Sequence, residues 1–160
     1  MCANSSRSGS VTRVTACRKE DLPEIEAILQ LSPEASAWSR SSLTEVFEQH
    51  SKYLLIGWDD KHIAGFISGR VVTDEAEILN LAVKPVSRRR GVGGALVQAL
   101  LELFGREGAA QVFLEVRESN AAAMTFYERL GLCQIGRRPE YYRNPLEAAL
   151  VLALRPGAGR

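Results

Sequence analysis

The chain has 160 residues, of which 46% are hydrophobic and 24% charged, and this length and composition fit one globular domain and exclude a disordered polypeptide. A net charge of +1 argues against a general nucleic-acid-binding protein, which normally has a clearly basic total. The three cysteines have no metal-site spacing and there are only two histidines, His50 and His62, which excludes most zinc sites and Ser-His-Asp triads.

The two ends of the chain differ in composition from its centre. Residues 1–10 are rich in serine and lack the apolar core of a secretory signal, and no apolar run reaches the length of a transmembrane helix. Interpreted as free thiols, Cys2, Cys17 and Cys133 indicate a reducing compartment, which predicts a cytoplasmic protein with no membrane partner. We expect flexible ends at 1–10 and 156–160 and one folded domain over 11–155.

Between these ends, the sequence alternates between strand and helix patterns. In chain order it predicts a strand at 11–17, helices at 20–31 and about 42–50, strands at 53–58, 62–72 and 77–83, a helix at 95–104, a strand at 111–117, a helix at 120–130 and strands at 133–137 and 148–154. Ser41 or Ser42 is predicted to cap the second helix, Asn120 the fourth, and Gly105 with Gly108 to end the third. This order predicts a single α/β domain with a mixed sheet of about seven strands and about four helices.

Residues 88–94, Arg-Arg-Arg-Gly-Val-Gly-Gly, form a basic, glycine-rich turn between a strand and a helix, called here the Arg–Gly turn. Free N–H groups and the dipole at a helix start attract anions, glycines let a ligand approach the backbone, and arginines add countercharge. The turn therefore predicts phosphate binding, although the same residues also fit an ordinary turn with a solvated run of arginines. Neither a Walker A loop nor a dinucleotide-binding GxGxxG fingerprint fits it.

The Arg–Gly turn also carries a family resemblance. Residues 88–93 match the (Q/R)xxGx(G/A) signature of the GNAT superfamily of acetyl-CoA-dependent N-acetyltransferases, and the predicted order of elements resembles that fold as well. Three more stretches lie at the spacings that the family shows, at 80–83, 114–120 and 126–132. The resemblance covers about residues 11–155 and implies a sheet that is splayed between its fourth and fifth strands.

Within the superfamily, the chain resembles the RimI family, whose members acetylate the N-terminal alanine of a small-subunit ribosomal protein. That resemblance rests on residues 37–39, 74–76, 115–120 and 141–142. It implies direct transfer of an acetyl group from acetyl-CoA, with no metal and no nucleic acid involved, to the N-terminal α-amine of a ribosomal protein. A lysine side chain or a small-molecule amine as acceptor, and a non-enzymatic acyl-CoA-binding module, remain as alternatives.

The resemblance also implies which positions hold acetyl-CoA and which carry the chemistry. Glu115 falls at the position of the family's general base, and Tyr127 at that of the general acid that protonates the coenzyme A sulfur. The implied cofactor contacts are Leu81, Ala82, Val83, Arg88, Arg89, Arg90, Gly91, Val92, Gly93, Gly94 and Asn120.

The residues themselves leave the roles of the two catalytic candidates open. Strand alternation places Val112, Leu114 and Val116 on one face and Glu115 on the other, where it is either an active-site carboxylate or the partner of an arginine on a partly solvated face. Tyr127 shares a helix face with apolar residues, which is more typical of a core position than of a catalytic one. The family resemblance favours the catalytic interpretation for both.

The acceptor is predicted from the protonation of amines. At pH 7 about a tenth of an α-amine is neutral, against a few parts in ten thousand of a lysine amine, so one carboxylate base suits an α-amine better. Asp74, Glu75 and Glu77 are candidates for contacting a basic acceptor tail, with Tyr141 and Tyr142 as walls for the incoming peptide. A solvated strand edge explains Asp74 and Glu75 equally well.

Overall fold

A seven-stranded sheet with four α-helices makes up the described part of the chain, residues 12–154, in the computed structural model of the protein. The strands are β1 (Thr12–Ala16), β2 (Leu54–Asp59), β3 (His62–Val72), β4 (Glu75–Val83), β5 (Gln111–Arg117), β6 (Cys133–Tyr142) and β7 (Glu147–Leu154). The helices are α1 (Leu22–Gln30), α2 (Arg40–His50), α3 (Val92–Arg106) and α4 (Ala121–Arg129). The predicted α/β architecture is confirmed. Residues 11 and 155, and the ends at 1–10 and 156–160 that we expect to be flexible, lie outside the described residues.

The sheet divides into two halves that diverge between β4 and β5. Its strand order is β1-β2-β3-β4-β5-β7-β6, and β4 and β5 are its parallel pair. Their pairing ends at Glu77 and Phe113, although both strands continue. A V-shaped opening, called here the gap, therefore separates residues 78–83 of β4 from residues 114–117 of β5. This opening confirms the splay that the family resemblance implies.

A β-bulge in β4 lies just beyond its last residue paired with β5. In the antiparallel pairing with β3, Asn80 lies opposite Ser68 and Ile78 lies opposite the next residue of β3, so Leu79 is the extra residue. The bulge changes which side chains face which helices, because Ile78 packs in the core beneath α3 whereas Ala82 packs with α1 and α2. Asn80, two residues before Ala82, shares the face of Ala82.

Two apolar cores attach the helices to opposite faces of the sheet. On one face, called here the α3 face, α3 and α4 cover the sheet, and Leu96, Leu100 and Phe104 recur at helical spacing as fully buried side chains. On the other, the α1 face, α1 and α2 cover the sheet through side chains such as Ile25 and Ile28. Burying a side chain of this size contributes about 1.5–3 kcal/mol, so both walls of the gap are firmly supported.

The N-terminal cap of α2 differs from the predicted one. The helix begins at Arg40, and the Oγ of Ser39 accepts a hydrogen bond from the N–H of Ser42 at 3.1 Å. The prediction of Ser41 or Ser42 as the cap is therefore wrong. Each of these serines is a competent cap by residue type, so composition alone does not choose among them.

The third helix and the sixth strand are longer than predicted. α3 begins at Val92 rather than at residue 95, because the residues after Gly91 in the Arg–Gly turn are already helical. Gly105 lies inside the helix and does not end it, whereas Gly108 follows the helix with a φ of +81°. β6 continues past Pro139, which an edge strand tolerates because its outer N–H groups need no partner strand.

Candidate active site

The gap exposes an edge of β4 that no other strand pairs. Leu81, Ala82 and Val83 pair with β3 on one side, whereas pairing with β5 on the other side has ended at Glu77. Backbone N–H and C=O groups along such an edge are available to an extended ligand that carries amide groups of its own. The three predicted cofactor contacts of β4 therefore line the gap.

The Arg–Gly turn presents unpaired backbone N–H groups at the start of α3. Gly91 precedes the helix in the left-handed conformation, with a φ of +84°, and no side chain caps the helix. The N–H groups of Val92, Gly93 and Gly94 belong to the first turn and have no intrahelical acceptor. A Cβ built on Gly91 or Gly94 would have no atom within 4 Å, so the space beside this turn is open to a ligand.

Gly93 connects the Arg–Gly turn to the gap. A Cβ built on Gly93 would lie 3.4 Å from Cζ of Phe126 and 3.7 Å from Cγ2 of Val83. The start of α3, the end of β4 and α4 therefore meet at this residue. The turn that is predicted to bind phosphate and the β4 edge that is predicted to contact the cofactor thus form one continuous surface.

The three arginines of the Arg–Gly turn have different surroundings. Arg88 donates through Nε to the carbonyl oxygen of Val83 at 3.1 Å and through Nη2 to the carboxylate of Glu34. Arg90 contacts Asp59, with 3.3 Å between Nη1 and Oδ2. The guanidinium of Arg89 makes no ion pair with a residue in the 12–154 range. Arg89 is therefore the arginine of this turn that can contact a ligand phosphate without first giving up a partner among residues 12–154.

Two glycine substitutions in the Arg–Gly turn are expected to change stability in opposite directions. Gly91→Ala places a Cβ in the left-handed conformation, which costs about 1–2 kcal/mol. Gly94→Ala adds a methyl group to an open position in the first turn of α3 and should stabilise by about 0.5–1 kcal/mol. Urea unfolding of both variants and of the parent protein measures the free energy of unfolding, which should fall in Gly91→Ala and rise in Gly94→Ala. A stabilised Gly91→Ala variant would contradict the backbone conformation described for the turn.

Glu115 lies on β5 with one oxygen unpaired. Val112, Leu114 and Val116 are buried on the α3 face, so the predicted alternation is confirmed and Glu115 points to the α1 face. Its side chain is 18% exposed, and Oε1 lies 3.6 Å from Nε of Arg138. The other oxygen, Oε2, is buried without a hydrogen-bond partner among the described residues. Because an unpaired buried carboxylate oxygen is costly, this arrangement is typical of a functional site rather than of a structural ion pair.

Strand β6 brings two further groups to Glu115. Its regular pairing with β7 is interrupted between Arg138 and Tyr142, so residues 139–141 bulge out of the sheet. Proximity to the Glu115 carboxylate, together with burial, raises the pKa of Tyr141 to about 12. The guanidinium of Arg138 lies 5.9 Å from the centre of the Tyr141 ring. Sequence reasoning missed Arg138, because β6 was predicted to end one residue before it.

Tyr127 is a buried phenol on the other face of the sheet. It is 7% exposed, belongs to the core of the α3 face, and packs edge to face with Phe126 at 5.0 Å between ring centroids. Burial raises the pKa of Tyr127 above its usual value. Its hydroxyl makes no hydrogen bond to any residue between 12 and 154. The core interpretation is therefore correct for the ring and leaves the hydroxyl available.

Asn120 caps α4 as predicted. Its Oδ1 accepts a hydrogen bond from the N–H of Ala123 at 3.1 Å. The amide nitrogen of the same side chain makes no hydrogen bond to a described residue, so it retains the capacity to contact a ligand. The contact of Asn120 with the cofactor stays a prediction.

The residues predicted to contact the acceptor fall into two groups. Tyr141 and Tyr142 lie edge to face on β6 with ring centroids 5.0 Å apart, on the strand that approaches Glu115. Asp74 and Glu75 are exposed at the closed end of the gap, which fits the solvated-edge interpretation. Glu77 forms an ion pair with an arginine of β3, with 2.7 Å between the nitrogen and oxygen atoms.

Two other kinds of site have no counterpart in the described residues. Across residues 12–154, no group of three or more histidine, cysteine, aspartate or glutamate side chains is arranged to hold a metal ion. None of the helices in that range combines the length and the apolar composition needed to cross a bilayer.

Comparison with known proteins agrees with this geometry. The acetyltransferase (GNAT) family matches residues 22–132. The [ribosomal protein bS18]-alanine N-acetyltransferase of Escherichia coli K12 is 35% identical over 144 residues, which are 88% of this chain and 95% of that protein. The crystal structure of the ribosomal-protein-S18-alanine N-acetyltransferase from Escherichia coli superposes with a TM-score of 0.77 at 34% identity, covering 91% of this chain and 94% of that one. Ard1 from Thermoplasma volcanium superposes with a TM-score of 0.84 at 26% identity, covering 90% and 97%.

Proposed function

The chain belongs to the acetyltransferase (GNAT) family, and from that premise we propose that it transfers an acetyl group from acetyl-CoA to the N-terminal α-amine of a protein. The proposed acceptor is the N-terminal alanine of a small-subunit ribosomal protein, the type of substrate named for its 35% identical relative from Escherichia coli. The observation that carries the proposal is the buried, unpartnered Oε2 of Glu115 beside the gap. A ribosomal acceptor implies a cytoplasmic enzyme, with which the free thiols of Cys17 and Cys133 agree.

The residues that surround the gap fit acetyl-CoA. The unpaired β4 edge at Leu81, Ala82 and Val83 suits the amide-containing pantetheine arm, and the free N–H groups at residues 92–94 suit the pyrophosphate of coenzyme A. Arg89 adds a positive charge that no carboxylate of the described residues neutralises. When bound, acetyl-CoA supplies the acetyl thioester. The steps proposed for the protein's own residues use no metal ion.

Glu115 and Tyr127 are proposed to move the two protons of the reaction. Glu115 accepts the proton of the α-amine through a water molecule, using the oxygen that has no partner in the protein. Tyr127 donates its proton to the departing thiolate, and burial keeps the phenol neutral by raising its pKa. Glu115 points from β5 to the α1 face of the sheet, whereas Tyr127 packs from α4 against the α3 face. The gap between β4 and β5 opens to both faces. An amine that enters from the α1 face and a sulfur on the α3 face would therefore each meet the required group.

The acceptor amine is tested with a matched pair of peptides. One begins with a free N-terminal alanine and contains an internal lysine, and the other has the same sequence with a blocked N-terminus. We expect thiol release from acetyl-CoA, and one added acetyl group by mass spectrometry, with the free peptide only, because about a tenth of its α-amine is neutral at pH 7.

Each other result points to a different function. Acetylation of the blocked peptide on its lysine would contradict an α-amine acceptor. Binding of acetyl-CoA without thiol release in the presence of either peptide, or of a mixed library of N-terminal sequences, would contradict the proposed enzyme activity. Incubation without peptide measures the background hydrolysis that must be subtracted.

A further inference from the structure

A buried asparagine connects β4 to the segment between α1 and α2. Asn80 is 5% exposed, its Oδ1 accepts a hydrogen bond from the N–H of Ser36 at 3.2 Å, and its Nδ2 donates to the carbonyl oxygen of the same residue at 3.0 Å. One side-chain amide thus binds both backbone groups of a residue 44 positions away. Residues 31–39 are called here the α1–α2 segment.

The bulge at Leu79 makes this contact possible. Without the extra residue, the alternation that directs Ile78 to the α3 face would direct Asn80 there as well. With it, Asn80 points to the α1 face, where Ala82 and the two helices lie. Glu115 points to the same face from the opposite wall of the gap. The α1–α2 segment is therefore fixed on the side from which the Glu115 carboxylate is approached.

The other contacts of the α1–α2 segment are weaker or less specific. Trp38 packs against Phe66 with 6.3 Å between ring centroids, which fixes no hydrogen-bonding register. Glu34 pairs with Arg88, but both side chains are 44% exposed, and exposed ion pairs contribute little. The segment contains no helix or strand of its own. The two hydrogen bonds of Asn80 are therefore the buried polar link that sets its position.

We propose that Asn80 is a positioning residue for the acceptor, because it holds the α1–α2 segment as one wall of the acceptor site beside Glu115. The inference rests on the proposed function and adds to it the structural element that orients the peptide. Asn80 touches neither reacting group. Its loss should weaken peptide binding without changing the chemistry or the affinity for acetyl-CoA.

The test compares Asn80→Ala with Ser68→Ala. Ser68 lies opposite Asn80 on β3 and is fully buried, and its Oγ has no hydrogen-bond partner among the described residues. Ser68→Ala is therefore a matched control, because removing this hydroxyl breaks no contact with the α1–α2 segment. In Asn80→Ala we expect the KM for the peptide to rise on the order of tenfold, equivalent to about one net hydrogen bond, with kcat and the KM for acetyl-CoA within about twofold. Ser68→Ala should match the parent protein in the peptide KM, in kcat and in the acetyl-CoA KM.

Hydrogen exchange measured by mass spectrometry tests the positioning itself, without any activity. Amides of residues 31–39 should exchange faster in Asn80→Ala, while those of α3 stay protected. If Asn80→Ala does not fold, Asn80→Asp keeps the acceptor for the Ser36 N–H, loses the donor to its carbonyl, and should shift peptide KM and exchange in the same directions.

The outcomes separate this inference from the proposed function. An unchanged peptide KM, or unchanged exchange at residues 31–39, overturns the role of Asn80 while parent activity on the peptide still stands. A fall in kcat at constant peptide KM overturns it as well, because a positioning residue should not act on chemistry alone. Absence of peptide acetylation by the parent protein is a failure of the proposed function.

Discussion

Tyr127→Phe is expected to lower kcat by about 10²-fold or more while acetyl-CoA binding and stability stay close to those of the parent protein. A positioned general acid contributes 10²–10⁴-fold, and the substitution removes only the group that would donate the proton. The hydroxyl makes no hydrogen bond within residues 12–154, so its loss leaves no partner unsatisfied and should change the free energy of unfolding by about 1 kcal/mol or less. A fall in kcat would therefore reflect the chemical step and not a loss of stability.

The pKa of Tyr127 adds a second expectation. Because burial raises this pKa above the usual value near 10, the phenol remains neutral, and able to donate, across the neutral and mildly alkaline range. The kcat of the parent protein should therefore show no decrease between pH 7 and pH 9 that is caused by deprotonation of Tyr127. An alkaline limb in that interval that disappears in Tyr127→Phe would contradict the raised pKa.

Tyr53→Phe is the matched control for this experiment. Tyr53 also packs against the core of the α3 face, with its ring 5.7 Å from that of Phe104, and it lies just before β2, away from the gap. Both variants lose one phenolic oxygen from the same core. Steady-state kinetics and calorimetric titration with acetyl-CoA on the pair distinguish a specific role from a general effect. Full turnover in Tyr127→Phe would remove Tyr127 from the mechanism.

The features that could be predicted from the sequence are those that depend on local periodicity. The alternation along β5 placed Glu115 opposite Val112, Leu114 and Val116, because a strand with one buried face repeats every second residue. The apolar spacing of α3 and the capping role of Asn120 are local in the same sense. The Arg–Gly turn was found because a glycine with positive φ before a helix leaves a residue-type signal.

The features that could not be predicted depend on partners distant in the chain. Nothing near Arg88 in the sequence indicates that it pairs with Glu34, and nothing near Asn80 indicates Ser36. The bulge at Leu79 has no distinctive residue type and is defined only by pairing with β3. The splay of the sheet came from the family resemblance, because the end of pairing between two parallel strands leaves no pattern in either strand.

Glu115→Gln is expected to lower kcat/KM for the peptide by about 10²-fold at pH 7 and by much less at pH 9. Gln has the shape of Glu but cannot accept the amine proton. The neutral fraction of an α-amine with a pKa of about 7.8 rises from about a tenth at pH 7 to nearly all at pH 9, so the variant should recover about tenfold over this interval. The ratio of parent to variant kcat/KM, measured from pH 6 to pH 9, checks this dependence.

Glu118→Gln provides the control, because it makes the same chemical change three residues along the chain at a carboxylate paired with Arg137 through two 3.0 Å contacts. The ratio of parent to Glu118→Gln kcat/KM for the peptide should stay near one at every pH. A large but pH-independent loss in Glu115→Gln would mean that the carboxylate binds or orients the acceptor and does not take its proton. No loss at all would leave the unpartnered Oε2 without a catalytic role and would contradict the observation on which the proposed function rests.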